Sequence, residues 1–376
     1  MKRRIAILGC GGMGGGHAIA IGSGTGNAVY NANSAAETGT RIGDESCNTD
    51  ISKKLELAGV YDINPERMKW AEERGFHTYR DFEEILADPS VDIVLIATPN
   101  HLHHDEAVAA MRAGKHVLCE KPVMLNSQEL VDVMEVSKET GKMFYPRQNR
   151  RWDRDFRIVK KIFDEKLIGR TFRIESRVQG SRGIPGDWRK VEKYGGGMML
   201  DWGVHLLDRL LFMVPEKISS VYCRLSDVLG EEVDDGFTMF LTFESGLTAV
   251  VEVGTCNFVT LPLWYVAGDA GSAVIENWRC EGTMVKLHSW EDKDALPIMA
   301  GAGLTKTMAP RDGKSLTEEA LPEVVYDENE LYSNAVDVID GTAEQIVTPE
   351  QALRVLRLME AAVESSKTGK AVAFEA

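Results

Sequence analysis

Near its start the chain reads KRRIAILGCGGMG (residues 2–14), a four-residue apolar run, Ile5 to Leu8, that stops abruptly in glycines. Gly9, Gly11 and Gly14 stand in G-x-G-x-x-G spacing. The apolar run has the character of a strand covered on both faces, and the stretch behind the glycines can begin a helix. In that setting the first glycine permits a tight turn and the second lets a pyrophosphate approach the backbone. The third lets helix and strand pack closely, with the helix N-terminus turned towards the phosphates. The motif therefore predicts a dinucleotide site built from Gly9, Gly11, Gly12, Met13 and Gly14.

The residues that follow repeat the pattern. LELAGVYD (55–62), VDIVLIATP (91–99), KHVLCEKP (115–122) and GKMFYP (141–146) read as further buried strands. Between them lie the helix-like stretches PERMKWAEERG, HHDEAVAAMRAG and NSQELVDVMEVSKETG, each closed by glycine, with Asn126 placed to cap the last. Strand–helix alternation predicts an α/β Rossmann domain, a doubly wound parallel sheet, over residues 1–147. The acidic residue that reads a ribose belongs at the end of the second strand, here Asp62. It either accepts hydrogen bonds from the ribose hydroxyls of NAD, repelling the 2′-phosphate of NADP, or starts the turn before Asn64-Pro65. Arg67 lies close in sequence and keeps NADP as the second choice. Residues 20–54, rich in Gly, Ser, Asn and Thr, form an insert ahead of that strand. A loop of that length is disordered, an oligomer contact or an active-site lid.

From about Thr171 the character changes. TFRIESRVQ, ISSVYCRLSDV, GFTMFLTFE, GLTAVVEVG and LWYVAGDAGSAVIEN read as strands, with hairpin turns at 244–246 and 268–271. The last stretch, TPEQALRVLRLMEAAVESSKTGK, is a helix with Thr348 as cap, Pro349 first and Gly369 at the end. Residues 148–376 are thus expected to form an α+β domain with a large open, mostly antiparallel sheet.

The 376 residues are 44% hydrophobic and 27% charged, an ordinary composition for a chain with a substantial core. Forty-three basic against 58 acidic residues give a net charge of −15, which disfavours nucleic acid and anionic membranes as partners. The N-terminal apolar run is too short for a secretion signal, and no segment approaches the roughly 18 apolar residues of a membrane span. Six scattered cysteines without a C-x-x-C pair read as free thiols in a reducing, cytoplasmic setting.

With ATPNHLHHDEAVAAMRAGKHVLCEKP (97–122) in view, the chain resembles the Gfo/Idh/MocA family of NAD(P)-dependent oxidoreductases, named for glucose-fructose oxidoreductase and inositol dehydrogenase. The resemblance rests on Thr98-Pro99-Asn100, His104, Gly114 to Val117, Glu120-Lys121-Pro122, then YGGGMMLDWGVHLLD (194–208) and SSKTGKAV (365–372). It covers the chain apart from the 20–54 insert. It implies that Thr98, Pro99, Asn100, His104, Glu120 and Lys121 contact the cofactor, that Lys121 also contacts the reacting hydroxyl, and that Asp201 and His205 complete the catalytic set. A cis bond before Pro122 is common in the family. Asp201, His205 and Asp208 fall at i, i+4 and i+7 and share one face if the segment is helical.

The chemistry of such a set is alcohol oxidation. A base, His205, takes the hydroxyl proton, Lys121 stabilises the developing alkoxide, and Asp201 orients the base or binds a hydroxyl. Arg150, Arg151 and Trp152 either line the sugar pocket, as in the family, or form a solvated basic patch. Trp188 and Tyr194 either stack on a sugar ring or pack internally. His101, His103 and His104 lack the carboxylate or cysteine that would complete a tetrahedral metal set, and no metal is expected. The expected activity is NAD-dependent oxidation of a secondary hydroxyl of a sugar, glycoside or cyclitol by a homodimer or homotetramer. Two rivals are a redox-neutral enzyme that recycles bound NAD through a transient keto-sugar, and a non-catalytic NAD-binding regulator.

Overall fold

The computed structural model describes residues 2–23, 49–291, 296–311 and 313–374. Most of the 20–54 insert, Cys47 included, lies outside the described residues, so the expectations placed on it have no structural counterpart. In the first half, β1 (Arg3–Leu8) leads through the glycine turn into α1 (Gly12–Ser23), followed by β2 (Leu55–Tyr61), α2 (Pro65–Glu72) and α3 (Phe82–Ala87). Then come β3 (Ile93–Ile96), α4 (His103–Arg112), β4 (His116–Cys119), α5 (Ser127–Thr140) and β5 (Phe144–Pro146). The helix starts carry the expected chemistry. Asn64 and Asn126 accept hydrogen bonds from Glu66 N and Glu129 N, and Gly141 ends α5 in the left-handed region.

The second half contains α6 (Arg154–Asp164), β6 (Thr171–Gln179), α7 (Val204–Met213), β7 (Ile218–Ser226), β8 (Gly236–Phe243), β9 (Thr248–Gly254), β10 (Trp264–Gly268) and β11 (Gly271–Ile275). It continues with β12 (Gly282–Leu287), β13 (Ile298–Ala300), β14 (Gly303–Thr305), β15 (Leu316–Ala320), α8 (Glu330–Ile339) and α9 (Pro349–Thr368). A full capping box at Thr348 and Gln351 starts α9, and Gly369 closes it.

Among the described residues the first sheet runs β2-β1-β3-β4-β5, every pair parallel. A parallel bridge between Val60 and Thr78 marks the vestige of a further strand beyond β2. That order is the doubly wound one, and its reversal falls between β1 and β3. The second sheet runs β15-β12-β11-β10-β6-β9-β8-β7 and is antiparallel except for β6 with β9. Its open face carries Tyr222 against Phe240, and an ion-pair ladder of Arg173, Glu175, Arg177 and Glu252. Among the described residues no helix is long and apolar enough to cross a membrane.

The parallel sheet must be covered on both faces, and the two covers come from different parts of the chain. Ile85, Ala107, Met111, Leu130 and Val133 of α3, α4 and α5 pack with Val94, Ile96 and Val117. The opposite side chains, Ile5, Ile7, Leu95 and Leu118, meet Ala18 and Ile21 of α1 and Leu331, Tyr332, Ala335 and Val336 of α8. Tyr145 Oη donates to Asn334 Oδ1 at 2.7 Å and fastens α8 to β5. The last strand of the first sheet ends at Pro146, and residues 330–347 return to complete its layer.

The glycine turn shows why only glycine serves. Gly9 has φ +89°, and a Cβ there would stand 2.6 Å from Ala97 O. A Cβ on Gly14 would stand 1.7 Å from Gly9 O, whereas one on Gly11 would meet nothing within 4 Å. The open space at Gly11 leaves room for a pyrophosphate to approach the backbone. Gly14→Ala must push α1 away from the turn, and NADH affinity, read by fluorescence titration, is expected to fall by at least about tenfold, the equivalent of one broken charge-assisted hydrogen bond.

Candidate active site

The turns after β1, β2, β3, β4 and β5 collect at the carboxyl edge of the first sheet, where open α/β sheets bind ligands. β4 ends on Cys119 and delivers Glu120 and Lys121 to that edge, and the Lys121–Pro122 peptide is cis. His103, fully buried at the start of α4, has its two ring nitrogens 2.9 Å from the carbonyl oxygens of Pro122 and Thr98. A neutral imidazole carries one N–H, so His103 donates to one of these carbonyls and packs against the other, wedged between the Thr98-Pro99-Asn100 turn and the Glu-Lys-Pro turn. Asn100 in turn donates to Gly195 O at 2.9 Å, joining the first domain to the triple glycine of the second.

Lys121 Nζ donates to Asp201 Oδ1 at 2.8 Å and to Asp201 O at 3.0 Å. An ammonium has three N–H groups, so one remains for a substrate oxygen. Asp201 sits in a widened π turn, Met199–Gly203, that precedes α7; Asp234 holds the start of this turn by accepting from Met199 N at 2.8 Å. Burial alone would raise the Asp201 pKa, but Lys121 and then Arg189, 3.5 Å away, outweigh it and hold the carboxyl below its ordinary value.

His205, in the first turn of α7, is buried, and its ring lies edge-on to Trp202 at 5.9 Å. Its Nδ1 has no hydrogen-bond partner among the described residues. Burial, then the positive charges of Lys121, Arg150, Arg209 and Arg147, push its pKa well below 6.5. The ring is therefore a neutral imidazole at pH 7. Asp201 is not hydrogen-bonded to it, because the carboxylate is taken up by Lys121 and Arg189, so the expected orienting contact is replaced by packing against Trp202.

Glu120 is buried deeper than Lys121. Its Oε1 accepts from Arg147 Nη1 and from His17 Nε2, both at 2.8 Å, and its Oε2 accepts from Lys121 N at 3.1 Å. Burial opposes ionisation, yet Arg147 and His17 hold Glu120 far below the ordinary carboxylate range. At the other end of the sheet Asp62 Oδ2 accepts from Cys10 N at 2.7 Å and Oδ1 from Asn64 N at 2.8 Å. Both expected roles of Asp62 are compatible with this, since each oxygen keeps a lone pair. Arg67 donates to Cys10 O at 2.6 Å and to Gly11 O at 3.2 Å and stacks on Trp70. The open approach at Gly11, the N-terminus of α1 and the half-exposed Asp62 together fit a dinucleotide.

Three expected site residues are placed elsewhere. His104 lies on the outer face of α4, bonded to Asp105 Oδ1 at 2.8 Å; one residue along a helix turns a side chain by about 100°, and it is His103 that faces the turns. Arg151 is buried and closed by protein partners: Asp208 Oδ1 and Oδ2 at 2.6 and 2.8 Å, Ile346 O and Gln351 Oε1. Trp152 is also buried, its Nε1 donating to Glu330. Asp208 thus shares the helix with His205 but serves Arg151. Arg150, the residue before Arg151, does reach the cleft side: its guanidinium lies 4.4 Å over Trp202 and 5.7 Å from Trp278, and it bonds Asp153. Tyr194 stacks on His101 at 4.7 Å, and Trp188 lies under the Arg189 guanidinium.

His17, His103, Arg147, Arg189, Trp278 and Tyr332 escaped the reading of the sequence. Two had a usable signal. Arg147 follows β5 as Glu120 follows β4, and His17 interrupts an otherwise apolar α1 three residues after Gly14. Trp278 and Tyr332 had none, since the loop carrying Trp278 and helix α8 carrying Tyr332 meet the site only in three dimensions.

Fold and site define a dinucleotide-dependent oxidoreductase. The chain matches the model of the oxidoreductase family with an NAD-binding Rossmann fold (Gfo/Idh/MocA) over residues 3–148 and the model of that family's C-terminal domain over 156–274. It belongs to the Gfo/Idh/MocA family. An NAD-binding protein from Listeria innocua is similar over 99% of both chains, with 44% identity and a TM-score of 0.88. The scyllo-inositol 2-dehydrogenase (NADP+) of Bacillus subtilis is 27% identical over 337 residues, 87% of this chain and 90% of that one. The 1,5-anhydro-D-fructose reductase of Ensifer adhaerens is 28% identical over 331 residues, 85% and 91% of the two chains.

The buried Arg151–Asp208 pair yields a test of the structural assignment. Asp208→Ala leaves a guanidinium buried with its main partner gone and is expected to destabilise the protein by about 3–5 kcal/mol in chemical denaturation. Retention of wild-type stability with a loss of turnover would return Asp208 and Arg151 to the active site.

Proposed function

We propose that this oxidoreductase converts a secondary hydroxyl of a sugar, glycoside or cyclitol to a ketone, with NAD preferred to NADP. The observation that carries the reading is the pairing of Lys121 with Asp201 beside a buried, neutral His205 at the carboxyl edge of a dinucleotide-binding sheet. The names of the two relatives, one acting on an inositol and one on an anhydro-sugar, support the substrate class. Asp62 supports NAD, although the B. subtilis relative is named for NADP+.

In this reading the bound nicotinamide supplies the two-electron acceptor. The spare N–H of Lys121 binds the reacting oxygen and stabilises negative charge as it develops there. His205, neutral and with an unpartnered nitrogen, accepts the hydroxyl proton. Asp201 fixes Lys121 in place and, through Arg189, closes the far side of the pair. Arg150, Trp202 and Trp278 pack together as an aromatic and cationic surface against which a sugar ring can stack. Thr98, Pro99, Asn100, Glu120 and the glycine turn hold the cofactor side of the cleft. A homodimer or homotetramer formed through the open face of the second sheet completes the reading.

Hexoses, uronates, glycosides and inositols offered with NAD and with NADP test it. NADH is expected to accumulate in step with a keto product. Product without net NADH means that the cofactor recycles. No turnover with any member, together with ligand-dependent behaviour that survives Lys121→Ala, means a regulator.

Two outcomes follow from the site. Lys121→Met should lower kcat by roughly 10²–10³, the usual cost of one transition-state donor, while NADH still binds. Because His205 is held below its ordinary pKa, it stays the neutral base as pH falls through 6.5. The oxidation rate should show no histidine limb at that pH, and His205→Asn should abolish whatever acid limb appears lower. A limb centred at or above 6.5 would contradict the assignment.

A further inference from the structure

We propose that His17 is a positioning residue that couples the cofactor-binding helix to the catalytic lysine, acting through Glu120 with Tyr332 as its support. The inference rests on the role given to Lys121 above. His17 lies on α1, directly behind the glycine turn, and is buried. Its Nε2 stands 2.8 Å from Glu120 Oε1 and its Nδ1 2.5 Å from Tyr332 Oη.

The protons in this chain can be assigned in one way. A carboxylate only accepts, so His17 Nε2 carries the hydrogen and donates to Glu120. A neutral imidazole has one N–H, so Nδ1 is the acceptor and the Tyr332 hydroxyl donates to it. Burial and the nearby Arg147 favour that neutral form. Glu120 Oε1 also receives Arg147 Nη1, and Oε2 receives the backbone N–H of Lys121. One carboxylate thus gathers α1, the end of β5, the turn that presents Lys121 and, through His17, helix α8 from the far end of the chain.

The same side chains face the cofactor region. His17, Arg147 and Tyr332 line a cavity together with Gly12, Met13 and Gly16 of the glycine turn and with Asn329 at the start of α8. A shift of α1 as phosphates settle at its N-terminus moves His17, and His17 is one hydrogen bond from the carboxylate that fixes the Lys121 backbone. A buried histidine needs its nitrogens satisfied in either role, so a positioning role is told from a structural one by rate and cofactor affinity at unchanged folding.

The test compares His17→Gln, His17→Asn and His17→Ala. The terminal nitrogen of glutamine reaches the position of Nε2 and can donate to Glu120, whereas asparagine reaches only the position of Nδ1. Steady-state NADH formation with a substrate from the panel gives kcat and KM, NADH titration without sugar gives cofactor affinity, and thermal melting reports folding. Misplacing a reacting group by about 1 Å costs up to roughly 100-fold. His17→Ala and His17→Asn are expected to lose about 10- to 100-fold in kcat with sugar KM little changed and NADH affinity reduced, while His17→Gln recovers most of the loss.

The proposal is overturned if all three variants keep wild-type kcat and NADH affinity, or if glutamine restores melting without restoring rate. Should His17→Ala fail to fold, Tyr332→Phe, which removes one hydroxyl and keeps the ring, carries the test: a drop of at least about threefold in kcat without loss of melting temperature supports the coupling, and no change in rate refutes it. The NADH titration needs no sugar, so a failure of the substrate assignment leaves the link between α1 and the Lys121 turn still measurable.

Discussion

Lys121 and Asp201 lie 80 residues apart in the chain and 2.8 Å apart in the fold, and the site depends on that contact. One comes from the end of β4 in the parallel sheet, the other from the π turn ahead of α7 in the second domain. Both side chains are largely shielded from water, so each charge would be costly to hold alone, and the pairing brings the two domains together at a defined spot. Around it, His103 and Asn100 tie the neighbouring turns to the same place, and Asp234 holds the π turn that aims Asp201.

The cations around the cleft are matched with acids. Arg147 meets Glu120, Arg150 meets Asp153, Arg151 meets Asp208, Arg189 meets Asp187 and Asp201, and Arg209 meets Asp155. Paired buried charges contribute less to net stability than to geometry, since removing either partner strands the other. Against that background the buried histidines, His17, His103 and His205, all have their pKa lowered by burial, and of these His205 lies beside the Lys121–Asp201 pair. Burial and a ring of cations both oppose a proton on it, and that is the state in which it can receive one.

The elements legible in the sequence were those set by local rules. Gly9 needs a backbone conformation that side chains resist, Thr348 and Asn126 cap helices through their own next turn, and buried parallel strands show as unbroken apolar runs. The Glu-Lys-Pro turn was legible because strand ends in such sheets face the ligand. The differences are of one residue. Of the expected Arg150, Arg151 and Trp152, only Arg150 reaches the cleft side, and His103 rather than the expected His104 faces the turns. Adjacent residues of a helix or tight turn face different surroundings, and spacing alone does not tell which faces the cleft.

By itself the sequence determined the plan of a parallel sheet followed by a mostly antiparallel one, and the glycine turn, because each follows from residue type and near neighbours; Lys121, Asp201 and His205 stood out as candidates through the family resemblance. Tertiary structure alone decided that Asp201 serves Lys121 and not His205, that α8 returns to cover the first sheet, and that His17 and Tyr332 stand behind Glu120. Those outcomes depend on which distant surfaces are buried against one another. Burial is a property of the packed chain, and it determines which charges must find partners and which imidazole loses its proton.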